Sequence, residues 1–135
     1  MLGEVARPLA TSDLVRAVRD AAHAEGAAVP FTTPHNPIAV ADDGWTNQTY
    51  NKEQLLLPQT PQGYRRTLLL QAYKAAKAGG VQLPSTFQLL QAAGIPIRVV
   101  PGEERNIKIT TPLDWEIARR VISVRRRQRV KNNVD

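Results

Sequence analysis

The segment RNIKITTPLDWEIARRVI, residues 105–122, contains the residues best suited to chemistry on an anionic substrate. Lys108 lies in an apolar stretch, where Ile107 and Ile109 alternate with polar residues as in a short strand. It also directly precedes a predicted helix start, a place that can hold an anion. A lysine on an edge strand can equally serve to discourage aggregation. The residues alone leave both interpretations of Lys108 open.

The helix after Lys108 has a clear start signal. Thr111 is expected at the N-cap, Pro112 at the first helical position and Asp114 at the third, which is a carboxylate version of the capping box. Apolar residues then recur at helical spacing, which predicts one buried stripe on this helix. The stripe consists of Leu113, Ile117, Val121 and Val124.

The composition is that of one ordinary globular domain. The chain has 135 residues, of which 42% are hydrophobic and 22% charged. It contains no apolar run of bilayer length and no signal-peptide pattern at its N-terminus, so no membrane association is expected. It has no cysteine, which excludes disulfides and thiolate metal sites within it. A soluble cytoplasmic protein is the expectation.

The net charge of +6 is concentrated at the C-terminus. Residues 125–135 (RRRQRVKNNVD) contribute +4, which leaves about +2 for the body of the chain. A basic tail of this kind can contact nucleic acid or an acidic surface. It has no aromatic residue for base stacking, which favours a solvated, frayed terminus. The predicted organisation is therefore a domain over residues 1–124 and a basic tail over residues 125–135.

Helices and strands alternate along the chain. The first helix is capped by Thr11 or Ser12, ends at Gly26, and has Leu14, Val18 and Ala22 as its inner stripe. The strand AAVPF follows it. A protruding hairpin, here called the arm, is predicted over about residues 32–58, because an Asp-Asp-Gly turn separates two extended stretches.

Two more helices and a strand follow the arm. The second helix is bounded by TPQ (60–62) and Gly79-Gly80, and four of its residues are expected to face inward: Leu68, Leu69, Tyr73 and Ala76. The third, STFQLLQAAG (85–94), has Ser85 and Gln88 in capping-box positions. IRVV (97–100) is the next strand. This alternation predicts an α/β sandwich with a largely parallel sheet.

Four segments together resemble the alditol-phosphate cytidylyltransferases, which comprise the methylerythritol 4-phosphate enzymes of isoprenoid synthesis and the ribitol 5-phosphate enzymes. The match covers the chain from Glu4 to about Val124, in the family's order and spacing. The segments are VARP (5–8), PQTPQGYR (58–65), IRVVPGEERNIKIT (97–110) and TPLDWEIA (111–118).

The resemblance implies a partial Rossmann-like, three-layer α/β/α nucleotidyltransferase fold with a protruding β-arm. It covers the C-terminal part of such an enzyme, because the chain lacks the glycine-rich loop that embraces the CTP triphosphate in the family. The N-terminal half that carries the loop is therefore expected to be missing. A natural truncation, one half of a split protein with a companion chain, and a fragment all remain open.

The resemblance also assigns roles to six residues. Lys108 matches a lysine that faces the phosphates, where it would stabilise charge during the transfer. Glu4 falls where the family has an aspartate beside the magnesium ion and the polyol, and Arg7 would reach the alditol phosphate. Thr60 would contact the polyol, although its hydroxyl is also expected to cap the helix starting at Pro61. Lys52 and Ser85 match positions that would bind the substrate.

Lys52 and Ser85 stand at positions where this chain departs from the family. The family's arm carries a threonine and an arginine that hold the substrate phosphate across a dimer interface, and Pro37 and Lys52 occupy these positions. Proline has no donor, and lysine lacks the bidentate fork of arginine. PSTF (84–87) replaces a Thr-Asp-x-Ala stretch, which leaves Ser85 or Thr86 as the substitute.

The leading hypothesis is a homodimeric cytidylyltransferase. It would convert CTP and an alditol phosphate, of the methylerythritol 4-phosphate or ribitol 5-phosphate type, to a CDP-alditol and pyrophosphate with Mg²⁺. A second hypothesis is a non-catalytic remnant or partner subunit that keeps the arm for dimerisation. The third and weakest hypothesis is nucleic-acid binding through the basic tail.

Overall fold

The computed structural model describes residues 1–80 and 85–131, in which helices pack against both faces of a mixed sheet. The helices are α1 (Ser12–Glu25), α2 (Arg66–Ala78), α3 (Thr86–Ala92) and α4 (Pro112–Lys131). The main sheet contains β1 (Ala27–Thr32), β4 (Leu57–Pro58), β5 (Gly63–Tyr64) and β6 (Arg98–Pro101). A second sheet pairs β2 (Ile38–Asp42) with β3 (Trp45–Tyr50), and a 3-10 turn follows at Lys52–Gln54.

Strand β1 is the centre of the molecule, and its neighbouring residues enter two different cores. Ala28 packs with Leu14 and Val18 of α1, whereas Ala27 packs with Ala72 of α2 and Leu90 of α3. Successive side chains of a strand point to opposite faces of its sheet. Helix α1 therefore covers one face and helices α2 and α3 cover the other, which confirms the predicted three-layer α/β/α arrangement.

The prediction of a largely parallel sheet is wrong. Strand β1 pairs in parallel only with β6, with Ala28 opposite Arg98 and Phe31 opposite Pro101. On its other edge it pairs antiparallel with both β4 and β5. The arm reverses the direction of the chain, so the segment that returns from it lies antiparallel beside β1.

Helix α1 begins and ends where the sequence predicts. The Thr11 side chain accepts a hydrogen bond from the Leu14 amide at 3.1 Å, and Gly26 caps the other end with a φ of 92°. A positive φ costs glycine little, which explains the stop at this residue. The first helix and the AAVPF strand are thus both confirmed.

The arm is confirmed as a β-hairpin. Strands β2 and β3 pair antiparallel, from Ile38 opposite Tyr50 to Asp42 opposite Trp45. Asp43 and Gly44 make the turn with φ values of 44° and 81°, the positive values that a two-residue hairpin turn of this kind requires. Most arm residues are exposed, including Trp45 at 82%.

Helix α2 starts later than predicted, at Arg66, and Thr60 does not cap it. Gly63 and Tyr64 are paired with β1, and Gln62 exchanges two backbone hydrogen bonds with Leu2, each of 2.8 Å. These pairings use residues 62–64 as sheet, so no helix can begin at Pro61. The helix ends at Ala78 with Gly79 at its C-cap, as expected.

The inner faces of α2 and α3 differ in detail from the prediction. Ala72 is the fully buried residue of α2, whereas Tyr73 is 58% exposed, so the inward placement of Tyr73 is wrong. A tyrosine at a helix edge can keep its hydroxyl in water. Helix α3 is confirmed, but its capping box is not, since Ser85 donates a hydrogen bond to the Gln88 side chain at 2.7 Å rather than capping the backbone.

The segment around Lys108 is not a strand. Ile109 donates one backbone hydrogen bond to the Ala6 carbonyl at 2.8 Å. Among the described residues, this segment forms no further strand pairing. Its neighbour, residues 5–8, runs through turns and cannot pair continuously. The alternation also fails at Asn106, which is fully buried although the pattern predicts it on the polar side.

Helix α4 has the predicted start but not the predicted buried stripe. Thr111 and Asp114 exchange the hydrogen bonds of the capping box. Leu113 is 64% exposed and Ile117 44%, and Ala118 is the buried residue instead. Val124 is also exposed, at 42%, and Val121 is only partly buried, so packing rather than periodicity decides burial on this helix.

The backbone of α4 is continuous from residue 112 to residue 131 and so includes part of the basic tail. Residues 132–135 of that tail lie outside the described residues, as does Pro84 of the PSTF segment. None of the helices in the described ranges is long and apolar enough to span a bilayer.

Candidate active site

Three of the six predicted site residues come together at one surface. The Lys108 ammonium lies 2.5 Å from Oε1 of Glu4, and Arg7 Nε lies 3.5 Å from Oε2 of the same carboxylate. The Lys108 side chain is 46% exposed, that of Glu4 32% and that of Arg7 14%. The structure therefore builds an accessible cluster of two cations around one carboxylate, which we call the Glu4 cluster.

The backbone on both sides fixes the Glu4 cluster. The Arg7 amide donates to the Glu4 carbonyl at 3.0 Å, which closes the turn that brings the two side chains together. The bond from Ile109 to Ala6 holds the Lys108 segment against this turn. One backbone hydrogen bond, from Ile109 to Ala6, thus joins two segments that are about 100 residues apart in the chain.

Arg7 is the most constrained cation of the cluster. Its Nη1 donates to the Asn106 carbonyl at 2.6 Å and its Nη2 to the Pro58 carbonyl at 3.3 Å. Burial lowers the pKa of Arg7, and the nearby Glu4 charge opposes that shift. An arginine keeps its charge even after such a shift, so the cluster retains a fixed, oriented cation.

A buried amide network lies beneath the cluster, and sequence reasoning missed it. Gln59 donates to the Glu103 carbonyl at 2.8 Å and accepts from the Glu103 amide at 3.0 Å. Asn106 donates to the Thr60 carbonyl at 2.7 Å and contacts Gln59 Oε1 at 3.4 Å. Glu103 also accepts a hydrogen bond from Thr11. The signal available was the presence of two amides, Gln59 and Asn106, in the segments that carry the family resemblance.

Gly102 shows how tightly this network is packed. A Cβ at Gly102 would lie 2.7 Å from Oε1 of Gln59 and 2.8 Å from the Phe31 carbonyl. Distances this short are too close for a carbon next to these atoms. The turn after β6 therefore needs glycine so that the Gln59 side chain can reach the Glu103 backbone.

Thr60 joins the cluster through its backbone. Its carbonyl accepts the Asn106 side-chain hydrogen bond, and Asn106 in turn binds Arg7 through its own carbonyl. The predicted contact between the Thr60 hydroxyl and a polyol stays a prediction. The hydrogen bond from the Asn106 side chain fixes the Thr60 backbone beside the buried amide network.

Lys52 and Ser85 lie elsewhere and make no direct contact with the Glu4 cluster. Lys52 donates to the His35 carbonyl at 3.3 Å and lines an open cavity of about 420 Å³ at the base of the arm, together with Glu53 and Glu104. Ser85 precedes α3 and binds Gln88. Substrate roles for these two residues stay predictions.

The described residues do not form a metal site by themselves. No three His, Asp or Glu side chains among them come together as a ligand set. Glu4 is the carboxylate of the cluster, and its two oxygens face Lys108 and Arg7. Mg²⁺ is often held by one or two carboxylates together with substrate phosphates. The donor set therefore fits a magnesium ion only if phosphate oxygens supply most of the ligands.

The arrangement is suited to binding a phosphate group. Lys108 presents a compact ammonium at the surface, and Arg7 offers an oriented guanidinium beside it. Glu4 balances part of this positive charge. A phosphate that displaced the carboxylate would meet two cations already in position, and such preorganisation favours charge stabilisation in a reaction.

Comparisons with known proteins point to one enzyme family. A family model described as IspD, 2-C-methyl-D-erythritol 4-phosphate cytidylyltransferase, matches residues 1–124. A protein of that name from Syntrophus aciditrophicus is 37% identical over 113 residues, which is 83% of this chain and 48% of the relative. A bifunctional enzyme IspD/IspF from Anaeromyxobacter sp. is 38% identical and is covered over 33% of its length.

Solved structures show the same fold. The crystal structure of the cytidylyltransferase from Thermus thermophilus superposes with a TM-score of 0.82 at 34% identity, over 90% of this chain and 60% of that one. The fold-class prediction, apart from the strand directions, is thereby confirmed. The chain spans about half the length of the single-function relative from Syntrophus, 48%, and a third of the bifunctional one, 33%.

Proposed function

Because this chain belongs to the 2-C-methyl-D-erythritol 4-phosphate cytidylyltransferase family, we propose that it holds the alditol phosphate during cytidylyl transfer from CTP. In that reaction an oxygen of the alditol phosphate attacks the α-phosphorus of CTP. The bond between the α-phosphorus and its bridging oxygen to the β-phosphate breaks, and pyrophosphate leaves. The products are a CDP-alditol and pyrophosphate.

The observation that carries the proposal is the Glu4 cluster. Lys108 and Arg7 can together face the two phosphate groups that approach each other, and Lys108 can neutralise the charge that builds up between them. Transfer of this kind depends mostly on positioning and electrostatics, which are what the cluster provides. Thr60, Lys52 and Ser85 complete the proposed set of substrate contacts.

Methylerythritol 4-phosphate is the preferred substrate in this proposal. The relatives named above, and the solved structure from Thermus thermophilus, carry that compound or its enzyme in their names, whereas ribitol 5-phosphate is in none of them. The two substrates share a phosphate and a polyol chain, so the Glu4 cluster alone does not favour either. The names of the relatives supply the distinction.

Two components of the reaction are proposed to come from outside the described residues. Mg²⁺ would enter with the nucleotide phosphates, and Glu4 would be the carboxylate that this chain offers to it. The sequence contains no glycine-rich loop, so a segment of another polypeptide or of a longer form would hold the CTP triphosphate. A companion chain is one such source.

A homodimer formed through the arm belongs to the same proposal. The arm presents Trp45, Tyr50 and Val40 at 82%, 44% and 41% exposure, and aromatic side chains are enriched at protein interfaces. Lys52 at the base of the arm could then contribute to a site of the partner protomer. A cytoplasmic location completes the proposal, because the chain has no disulfides that would need an oxidising compartment.

The test has two measurements. Binding of methylerythritol 4-phosphate to the purified chain is followed by calorimetry, and pyrophosphate release is followed after CTP and Mg²⁺ are added. Lys108→Ala is expected to weaken binding by at least about tenfold, since it removes a charge-assisted contact. The control is Lys74→Ala, an exposed lysine of α2. Binding without pyrophosphate release would identify the substrate-holding role, and no binding at all would contradict the proposal.

A further inference from the structure

Asn106 is the most buried polar side chain near the Glu4 cluster. It has no exposed surface and is among the largest fully buried side chains of the described residues. Burying an amide costs free energy unless its polar atoms are hydrogen-bonded. The hydrogen bonds of this buried amide must therefore offset the cost of its burial beside a solvent-accessible cluster.

The hydrogen bonds of Asn106 define the orientation of its amide. Nδ2 donates to the Thr60 carbonyl at 2.7 Å and faces Gln59 Oε1 at 3.4 Å, and both of these atoms are acceptors. Turning the amide over would bring Oδ1 against two oxygens and lose both donations. Oδ1 is buried without a partner among the described residues, so the Nδ2 donor makes all of the side chain's hydrogen bonds there.

The backbone of Asn106 is bound as firmly as its side chain. Its amide donates to the Glu103 carbonyl at 2.9 Å, and its carbonyl accepts the 2.6 Å hydrogen bond from Arg7. Lys108 follows two residues later and reaches Glu4. One residue therefore connects the Thr60 segment, the turn after β6, the Arg7 guanidinium and the backbone that carries Lys108.

We propose that Asn106 is a positioning residue: its buried amide fixes the carbonyl that orients Arg7 and the segment from which Lys108 projects. The inference rests on the proposed function, because it takes the cluster to be the phosphate site. Residues that act behind a binding group fix its orientation, and losing them commonly weakens a site about tenfold or more. Asn106 does this from beneath the cluster without touching the substrate.

The experiment compares two Asn106 variants with a control. Asn106→Asp keeps the shape but removes the donor, and Asn106→Ala removes the whole amide. Leu90→Ala is the control, because Leu90 is equally buried but lies in the core under α2 and α3. Far-UV circular dichroism and thermal unfolding establish that each protein is folded at the temperature of measurement.

Two readouts separate positioning from general stability. The first is the affinity for methylerythritol 4-phosphate, which is expected to fall about tenfold or more in both Asn106 variants and to stay unchanged in Leu90→Ala. The second is the NMR signal of the Arg7 Nε–H group, assigned with Arg7→Lys. It is expected to shift and to exchange faster with water in the Asn106 variants only.

Each outcome decides the proposal. An unshifted Arg7 signal, or an equal loss of affinity in Leu90→Ala, would overturn it, because Asn106 would then contribute only to stability. Failure of both Asn106 variants to fold would overturn it for the same reason. If the wild-type chain binds no methylerythritol 4-phosphate, the proposed function fails, and the Arg7 signal still tests whether Asn106 orients the guanidinium.

Discussion

Glu4 is both a component of the candidate site and a competitor for its cations. Each of its carboxylate oxygens faces one cation, Lys108 or Arg7. A substrate phosphate would therefore compete with this carboxylate for both cations. The Glu4 carboxylate lies 2.5 Å from the Lys108 ammonium.

Neutralising Glu4 should strengthen anion binding in the absence of magnesium. In Glu4→Gln, the two cations lose their competing charge, and a partly exposed ion pair is worth up to about 1 kcal/mol, or roughly fivefold in affinity. Calorimetry with methylerythritol 4-phosphate and no Mg²⁺ measures the change. Glu25→Gln, which removes an exposed carboxylate at the end of α1, should leave the affinity unaltered. Weaker binding in Glu4→Gln would mean that the carboxylate itself contacts the substrate.

At the scale of elements, the start of α4 positions the segment that carries Lys108. Asp114 accepts hydrogen bonds from the backbone and hydroxyl groups of both Thr110 and Thr111. These bonds, led by the one from the Thr110 amide, lower the pKa of Asp114 from its ordinary value of 3.8 to about 2. The cap thus fixes the backbone two residues after Lys108.

This cap makes the free energy of unfolding depend on pH in the acidic range. Because the folded pKa lies below the unfolded one, the stabilisation by Asp114 is fully present above about pH 4. It is lost as the pH falls through about 2. Asp114→Asn should lower the thermal unfolding midpoint at about pH 5, and the difference from wild type should vanish towards about pH 2. Glu116→Gln on the same helix is the control, and a difference independent of pH would contradict the assignment.

The contact between α1 and β5 depends on a missing side chain. A Cβ at Gly63 would lie 2.6 Å from the Ala22 Cβ and 3.1 Å from the Val18 carbonyl. Gly63→Ala should therefore push α1 away from the sheet and lower the free energy of unfolding by about 1–3 kcal/mol. Chemical denaturation measures it. Gly3→Ala, where a Cβ has nothing within 4 Å, should be neutral, and equal effects would show that the strain is not local.

The elements that the sequence predicts correctly are those with local signals. Thr11, Gly26, the Asp-Gly turn of the arm and the Thr111–Asp114 cap each determine the backbone within a few residues. The wrong predictions depend on partners distant in the chain. Thr60 is not a cap because β1 and Leu2 pair with residues 62–64, and on α4 the described residues bury Ala118 rather than Leu113 or Ile117.

The candidate site shows the same division. The family resemblance led to Glu4, Arg7 and Lys108, which meet in space. Asn106 was instead expected on the polar side of a strand, since a period of two is the only local information that segment contains. Its burial follows from the Thr60 and Arg7 contacts, which are 46 and 99 residues away in the chain.

At the scale of the whole molecule, the arm is the feature most exposed to a partner. Replacing residues 38–50 by a short Gly-Ser turn should convert the proposed dimer to a monomer, because the apolar residues of the hairpin would be removed. Sedimentation velocity measures the mass. The core lies outside the arm, so thermal stability measured at low protein concentration should change little. A dimer that survives the replacement would place the interface on another surface.

The position of β1 between its partners has a consequence for how the chain reaches its native state. β1 is completed on one edge by residues 57–64 and on the other by residues 98–101, so it pairs with segments about 30 and 70 positions further along. Helix α1 and the arm hairpin can form early from local contacts, whereas the sheet must wait for these long closures. The Glu4 cluster joins residues 4 and 108, so we expect it to be among the last parts to assemble during refolding.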